Sequence, residues 1–368
     1  MNKKNKLVIL ITLVTIIIVV ASFVFYNKEK TDELINKNGA TKKEEQLQEK
    51  AVNLDKLIWK EVSASALWPK RDSHATVVYK NKIWIMGGVD GTKRLISPGN
   101  VDYGNAPHFK DVWSSQDGVI WDIATNNAPW KDRRSMQTIV FKDKMWLMGG
   151  WGPELGCKND VWSSEDGAKW KVENISADWP AREGHQVLFF NNKLWVMGGV
   201  RYDKRKTYND IWSSEDGINW TKETAAAGWA PRWDFSATVF QNKMWVIGGM
   251  DLTQNMFNDV WSSEDGINWN LVNGSPSFST RQGFITEYKG NLWAIGRLND
   301  QTNKGVNDVW FSEDGINWKK TKKDPLWTGR EDFGGVIFKD KIWILGGMDK
   351  NWTWTNDVWQ SEFDKTDN

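Results

Sequence analysis

The 368-residue chain is short of the residues from which catalytic and metal sites are most often built. It has one Cys and three His, which excludes a disulfide scaffold and leaves no His-rich metal site. Charge of neither sign prevails, with 48 Lys and Arg against 47 Asp and Glu and a net charge of +1. A nucleic-acid binder would carry a basic excess on one face, so nucleic acid is not an expected partner. No phosphate-cradling glycine loop or recognisable nucleophile stands out, and no cofactor is implied. The hydrophobic fraction of 40% is too high for a disordered chain. The excess is in tryptophan, with 27 residues against 15 Phe and 6 Tyr. A side chain that bulky does not scatter through an ordinary core at such frequency, so a repeated structural slot is implied.

Leu7 to Tyr26 is an uncharged run of 20 residues, long enough at about 1.5 Å per helical residue to cross the roughly 30 Å hydrocarbon core of a bilayer. Residues 1–26 therefore read as a signal anchor with one transmembrane helix. A cleaved signal peptide is the alternative, with Lys3, Lys4 and Lys6 as its basic start. The run, however, exceeds the usual apolar region of about 7 to 15 residues, and Ala21-Ser22 is a weak cleavage site. The export-like start implies a single-pass protein of the cell membrane with its bulk outside the cytoplasm, or a secreted one if the helix is removed. A chain with one Cys tolerates an oxidising compartment. Residues 27–56 hold seven Lys and seven acids and form a polar tether.

From residue 57 the sequence repeats. Trp84, Trp146, Trp195, Trp245, Trp293 and Trp343 follow one another at spacings of 62, 49, 50, 48 and 50 residues. A second register is Asp-(Val/Ile)-Trp, ending at Trp113, Trp162, Trp212, Trp261, Trp310 and Trp359. A third closes a Ser-x-Asp-Gly-x-x-Trp segment at Trp121, Trp170, Trp220, Trp269 and Trp318. The sixth unit lacks that third Trp, and Leu57-Ile58-Trp59-Lys60-Glu61-Val62 supplies the matching segment from the other end of the chain. Each unit carries four short apolar runs bounded by turn residues, as in SATVFQ, KMWVIGG, NDVWSS and INWNLV, which reads as a four-stranded blade. If the N-terminal strand completes the last blade, no sheet edge is left open where the ring closes. The expected fold is all-β, a six-bladed propeller over residues 57–362 with a tail at 363–368.

The Gly-Gly pairs (Gly87-Gly88, Gly149-Gly150, Gly198-Gly199, Gly248-Gly249, Gly346-Gly347), the repeated Arg and the Asp-Val-Trp strand resemble bacterial kelch repeats of the galactose-oxidase-like propeller group. The pattern departs once, at Gly296-Arg297. The Ser-Glu-Asp-Gly-Ile-Asn-Trp segment is also similar to the Asp box of sialidases; its Asp and Ser satisfy turn amides and its Trp packs between blades. An aromatic precedes an Arg by three residues in every unit: Trp68/Arg71, Trp130/Arg133, Trp179/Arg182, Trp229/Arg232, Phe278/Arg281 and Trp327/Arg330. The resemblance puts that strand innermost, so these six Arg are candidates to bind a carboxylate or phosphate at one mouth of the channel. The alternative is that each stacks on its Trp and pairs with the Asp of Asp-Val-Trp (Asp111, Asp160, Asp210, Asp259, Asp308, Asp357). Three residues after the Arg come His74, Met136, His185, Phe235, Phe284 and Phe333, so two of the three His sit at core positions. His108 alone makes no metal site.

The loops between second and third strands open on the face that carries the Arg, and they vary while the blades repeat. The longest runs from Val89 to Lys110 and holds Tyr103 and His108. The second offers Trp151, the third Tyr202 and Arg205, the sixth Trp352 and Trp354. Aromatics over a positively lined funnel suit a sugar ring or an acidic peptide, unless the Trp only cover the blade tops. The chain is thus expected to be a binding module for a glycan or a protein, with Tyr103, His108, Trp151, Tyr202, Arg205 and Trp352 joining the six Arg as candidate contacts. The alternative is an enzyme resembling the six-bladed kelch propellers that interconvert sialic-acid anomers, for which Arg182/Glu183 or Arg330/Glu331 would serve. Copper oxidation and sialidase chemistry lack their residue sets here.

Overall fold

A computed structural model of the chain describes residues 53–97, 100–154, 156–278, 283–297 and 306–364. The apolar run Leu7 to Tyr26, the tether up to residue 52, the last four residues and Arg281 lie outside the described residues. Among those described, no helix is long and apolar enough to cross a membrane.

The repeat folds into six antiparallel sheets. In the first blade the strands Ala75–Tyr79, Lys82–Met86, Val112–Ser115 and Asp122–Thr125 pair in chain order. The next four blades repeat this arrangement. The sixth joins Gly334–Phe338, Lys341–Asp349 and Trp354–Phe363 to the N-terminal strand Leu57–Ser63, whose register runs from Leu57 opposite Phe363 to Ser63 opposite Val358. The ring is therefore closed by hydrogen bonds between its two ends, as the missing third Trp implies. Because Phe363 ends a strand that leaves the loop-bearing face, Leu57 enters the ring from the opposite face.

Burial follows strand position. The second strand of a blade is covered on both sides by its neighbours, and in Lys144–Met148 every residue after the first is buried. A strand buried on both faces reads as a continuous apolar run instead of an alternating one, which is why KMWLM and its counterparts carry no polar residue past the Lys. The fourth strand, such as Lys171–Asn174, is exposed at its start and half-buried at its end. The apolar core is accordingly divided into clusters that each straddle two adjacent blades, as where Trp84 and Met86 meet Trp130, Met136 and Leu147. Nothing apolar has to fill the axis, and a channel remains there.

The Trp slots hold the blades internally and to each other. Each second-strand Trp donates its indole N–H to the carbonyl five residues earlier, as Trp84 does to Tyr79 and Trp146 to Phe141, at 2.9 and 2.8 Å. In all but Trp293, whose following blade has no Asp-Gly turn, the ring then receives the Asp-Gly turn of the following blade. A Cβ on Gly167 would lie 2.1 Å from the Trp84 ring, and one on Gly217 would lie 2.5 Å from the Trp146 ring. These glycines also stand at φ of +73° and +82°. The turn itself is pinned by side chains as expected: Ser164 accepts from the Gly167 amide, and Asp166 accepts from those of Ala168 and Lys169. First and second strands are joined by two-residue turns with both residues left-handed, such as Lys80 and Asn81 at φ of 47° and 55°. That is the type I′ geometry matching the twist of a hairpin.

Gly217→Ala adds a steric conflict to a conformational one and should lower stability by about 2 to 4 kcal/mol. Gly290, also at positive φ but with nothing within 4 Å of its missing Cβ, should cost only about 1 to 2 kcal/mol as Ala. Urea unfolding of the two variants measures the difference.

Candidate functional site at the channel mouth

Arg71, Arg133, Arg182, Arg232 and Arg330 are at most 2% exposed, and each guanidinium is held by its own blade. Arg71 donates from two nitrogens to the two carboxylate oxygens of Asp111, both at 2.7 Å, and to the carbonyl of Gly87. The same geometry joins Arg133 to Asp160, Arg182 to Asp210, Arg232 to Asp259 and Arg330 to Asp357. The indole N–H of the following Trp completes each Asp, as Trp113 does for Asp111. The preceding Trp lies over the guanidinium as expected, at 5.9 Å from the Arg71 carbon, and Phe109, three residues before the third strand, lies closer still at 4.2 Å. Tyr208 and Phe257 take that place on Arg182 and Arg232. None of the five guanidinium groups lines the channel cavity, so they frame the mouth and leave ligand contact to others.

The residues that follow these Arg do face the axis. Two positions on, Ser73, Ser135, Gly184, Asp234 and Asp332 all have φ between 48° and 59°. Their backbones form a belt around the channel: the amide of Ser73 donates to Asp332, Ser135 to Ser73, Gly184 to Ser135 and Asp234 to Gly184, at 2.8, 2.8, 3.3 and 2.9 Å. Below the belt lies a cavity of about 270 Å³, lined by hydroxyl and amide groups (Thr76, Gln137, Thr138, Gln186, Ser236) and by Asp234 and Asp332. One position on from each Arg stand Asp72, Arg134, Glu183, Trp233 and Glu331.

Among the described residues, five acids and one base thus gather at the mouth. Arg134 meets Glu183 at 3.5 Å, lies 4.1 Å from the Tyr103 ring centre and is 5.3 Å from that of Trp151. Asp72 accepts from Trp354 at 2.8 Å, and Asp332 accepts from the Ser73 hydroxyl at 3.0 Å. Asp72 and Glu183 are 0% and 1% exposed, yet Asp72 Oδ1 and Glu183 Oε1 have no hydrogen-bond partner. Burial, then the charge of Asp332, pushes the Asp72 carboxyl up to about 8. Burial raises Glu183 against the pull of Arg134, and Asp234, Glu331 and Asp332 are raised by burial as well. Burial holds the Tyr103 and Tyr202 hydroxyls protonated. It also lowers His108 to about 4; the Nδ1 of that ring lies 2.9 Å from the Ala106 carbonyl.

Of the residues singled out in the loops, Tyr103, His108, Trp151 and Tyr202 converge here. The His108 ring packs 5.3 Å from Trp151, and Tyr202 meets Trp233 edge to face at 5.4 Å. Arg205, exposed in a left-handed turn at φ 47°, and Trp352, at φ 58° in the sixth loop, share no hydrogen bond, ion pair or ring contact with the cluster among the described residues. Among the described residues the funnel is lined mainly by acids, because the Asp-Val-Trp aspartates consume the five described guanidinium groups of the repeat. Asp72, Arg134, Asp234 and Asp332 were the residues left unmarked by motif. Their signal was the variability of the two positions after an otherwise constant Arg. Among the described residues no group of three or more His, Cys, Asp or Glu is disposed to hold a metal ion. His74 and His185 are buried between blades, and burial lowers both to about 3.

Arg182→Ala would leave Asp210 buried without its partner and should cost roughly 3 to 5 kcal/mol, read as a fall in thermal midpoint. Carboxyls raised in the folded chain bind protons that the unfolded chain, titrating near 4, has already lost. Stability from them is complete below about pH 4 and is lost as pH rises through their folded values. The lowered His act in the opposite sense, but only below about pH 6.5, where the unfolded imidazole charges. Between about pH 6.5 and pH 9 the thermal midpoint should therefore fall with rising pH, and Asp72→Asn should flatten that slope.

The profile of the KLHDC2/KLHL20/DRC7 Kelch-repeats domain matches residues 135–347, from the entrance of the second blade to the Gly-Gly of the sixth. No curated protein matches the chain. The solved structure described as "Structure of YjhT" superposes with a TM-score of 0.65 at 14% sequence identity, covering 81% of this chain and 96% of that one. At that identity the likeness is one of fold. With more than half of its length matched in register with the blades, the chain belongs to the KLHDC2/KLHL20/DRC7 Kelch-repeats domain family.

Proposed function

We propose that the chain is a membrane-tethered, extracytoplasmic binding propeller that takes a glycan at the mouth of its channel. One observation carries this reading: the variable loops of the first three blades bring Tyr103, Trp151 and Tyr202 over the same buried polar cluster that the first strands build from Asp72, Arg134, Glu183, Asp234 and Asp332. Aromatic faces beside convergent acceptors and donors suit a polyhydroxylated ring. The cavity of about 270 Å³ below the belt, which the cluster meets only at Asp234 and Asp332, is just under the size of ligand pockets, roughly 300 to 1,000 Å³, and favours one sugar unit over a long peptide.

A second reading is favoured by Asp72, whose carboxyl stands near 8. A buried acid near neutrality beside a carboxylate–guanidinium pair is equipped for proton transfer, which is all that interconversion of sugar anomers requires. Glu183 with Arg134, in place of the paired Arg182, would carry that chemistry.

Glycan-array binding by the full-length protein in mild detergent tests the first reading. Glu183→Gln and Tyr202→Ala should each weaken the captured glycan by about tenfold or more, while Arg205→Ala leaves it unchanged. Anomer-exchange NMR on the captured sugar, abolished by Glu183→Gln, would establish the second reading. Absence of any captured glycan would remove both.

A further inference from the structure

We infer that Gln137 and Gln186 are the specificity-determining contacts of the channel cavity, and that they read two adjacent free hydroxyls on the sugar unit that enters it. The inference rests on the glycan reading above and deepens it.

The frame sets the height of these two side chains and asks nothing else of them. Each opens the first strand of its blade, Gln137–Phe141 in the second and Gln186–Phe190 in the third, four residues after the repeated Arg. The other blades carry Ala75, Ser236, Ile285 and Gly334 at that position, so the propeller has no structural need of an amide there. The hydroxyls that line the same cavity are spent on its wall. Thr76 donates to the Gly335 carbonyl, Thr138 to that of Thr76 and Ser236 to that of Gly283. Both Gln line the cavity as well, half-buried, and neither amide has a hydrogen-bond partner among the described residues.

Their placement gives the cavity two unlike sides. The second and third blades are neighbours, so the two amides share one side of the channel. In a ring of six, those blades face the fifth and sixth, which present Phe284, Ile285, Gly334 and Gly335 to the same cavity. A pyranose is divided in the same way, with hydroxyls around its edge and C–H bonds on its faces. A carboxamide fits neighbouring hydroxyls because its oxygen accepts from one while its NH₂ donates to the next. Arg134 and Glu183 stand three residues earlier on the same two chain segments and meet each other across the blades at 3.5 Å. One polar wall therefore continues from the mouth to the cavity, and a sugar held by the amides below lies under the cluster above.

Isothermal titration of the full-length protein, in a detergent without a sugar headgroup, tests this with D-glucose, D-galactose and D-mannose and then with the monodeoxy forms of whichever binds most tightly. Deoxygenation at two adjacent positions should each cost about tenfold or more, since a site built to pair a hydroxyl rejects the analogue that lacks it. Gln137→Ala and Gln186→Ala should each weaken the parent sugar by about tenfold. In each variant one deoxy form should bind within about twofold of the parent, the mark of a coupled pair. The thermal midpoint should stay where it is, because neither amide holds another group of the fold. Unchanged affinity in both variants, a lowered midpoint, or no adjacent pair of sensitive hydroxyls overturns the role of the two Gln and leaves the glycan reading standing. Heat from none of the three sugars also overturns it, and together with an empty glycan array removes the glycan reading as well.

Discussion

The structure turns on the bidentate pair between an Arg at the start of a blade's first strand and an Asp at the start of its third. The Arg is shut away from water and the Asp is largely so. The Asp takes the guanidinium on both oxygens and an indole N–H besides, and the Arg spends its remaining donors on backbone carbonyls. A buried ion pair of this kind adds little net stability over apolar packing, but removing either partner is severe. Its value here is positional. It fixes the first strand against the third at the same height in five described blades, and so fixes the direction in which the next two residues leave.

Those next two residues are where the blades differ. A symmetric frame repeats its apolar positions and its Arg–Asp pairs, and the closure of the ring then gathers one variable pair from each blade around a common axis. Raised carboxyls appear there because several acids face one another in a place already shielded by loops. The left-handed conformation at the second position, carried by Ser and Asp as well as Gly, is the kind of local strain that persists where the surroundings over-determine it.

The frame was legible in the sequence because it repeats: the Trp registers, the Gly-Gly pairs and the displaced segment at Leu57 each announce their geometry several times. Tyr103, His108, Trp151 and Tyr202 were legible as loop residues outside the pattern. Arg134, Asp72, Asp234 and Asp332 were not, since repeats are read by what stays constant and these occur once each. Charge was misjudged for a related reason. Six Arg per ring look like a positive funnel until each is matched to the Asp that stands 27 to 40 residues later, and only the fold says whether that match is made. Glu183 and Glu331 were noticed beside their Arg, but the partner of Glu183 proved to be Arg134 of the preceding blade.

The belt of backbone hydrogen bonds running Asp332, Ser73, Ser135, Gly184 and Asp234 has an electrostatic corollary. Its amides point head to tail in one rotational sense around the channel, so their dipoles lie tangential to the circle. Tangential dipoles disposed evenly about an axis cancel along it, unlike the aligned dipoles of a helix, which sum at its ends. These four belt amides therefore impose no sign of their own on whatever approaches the mouth. The sign of the potential on the axis is left to the side chains, and a substitution at one of the positions following an Arg changes it without disturbing the ring.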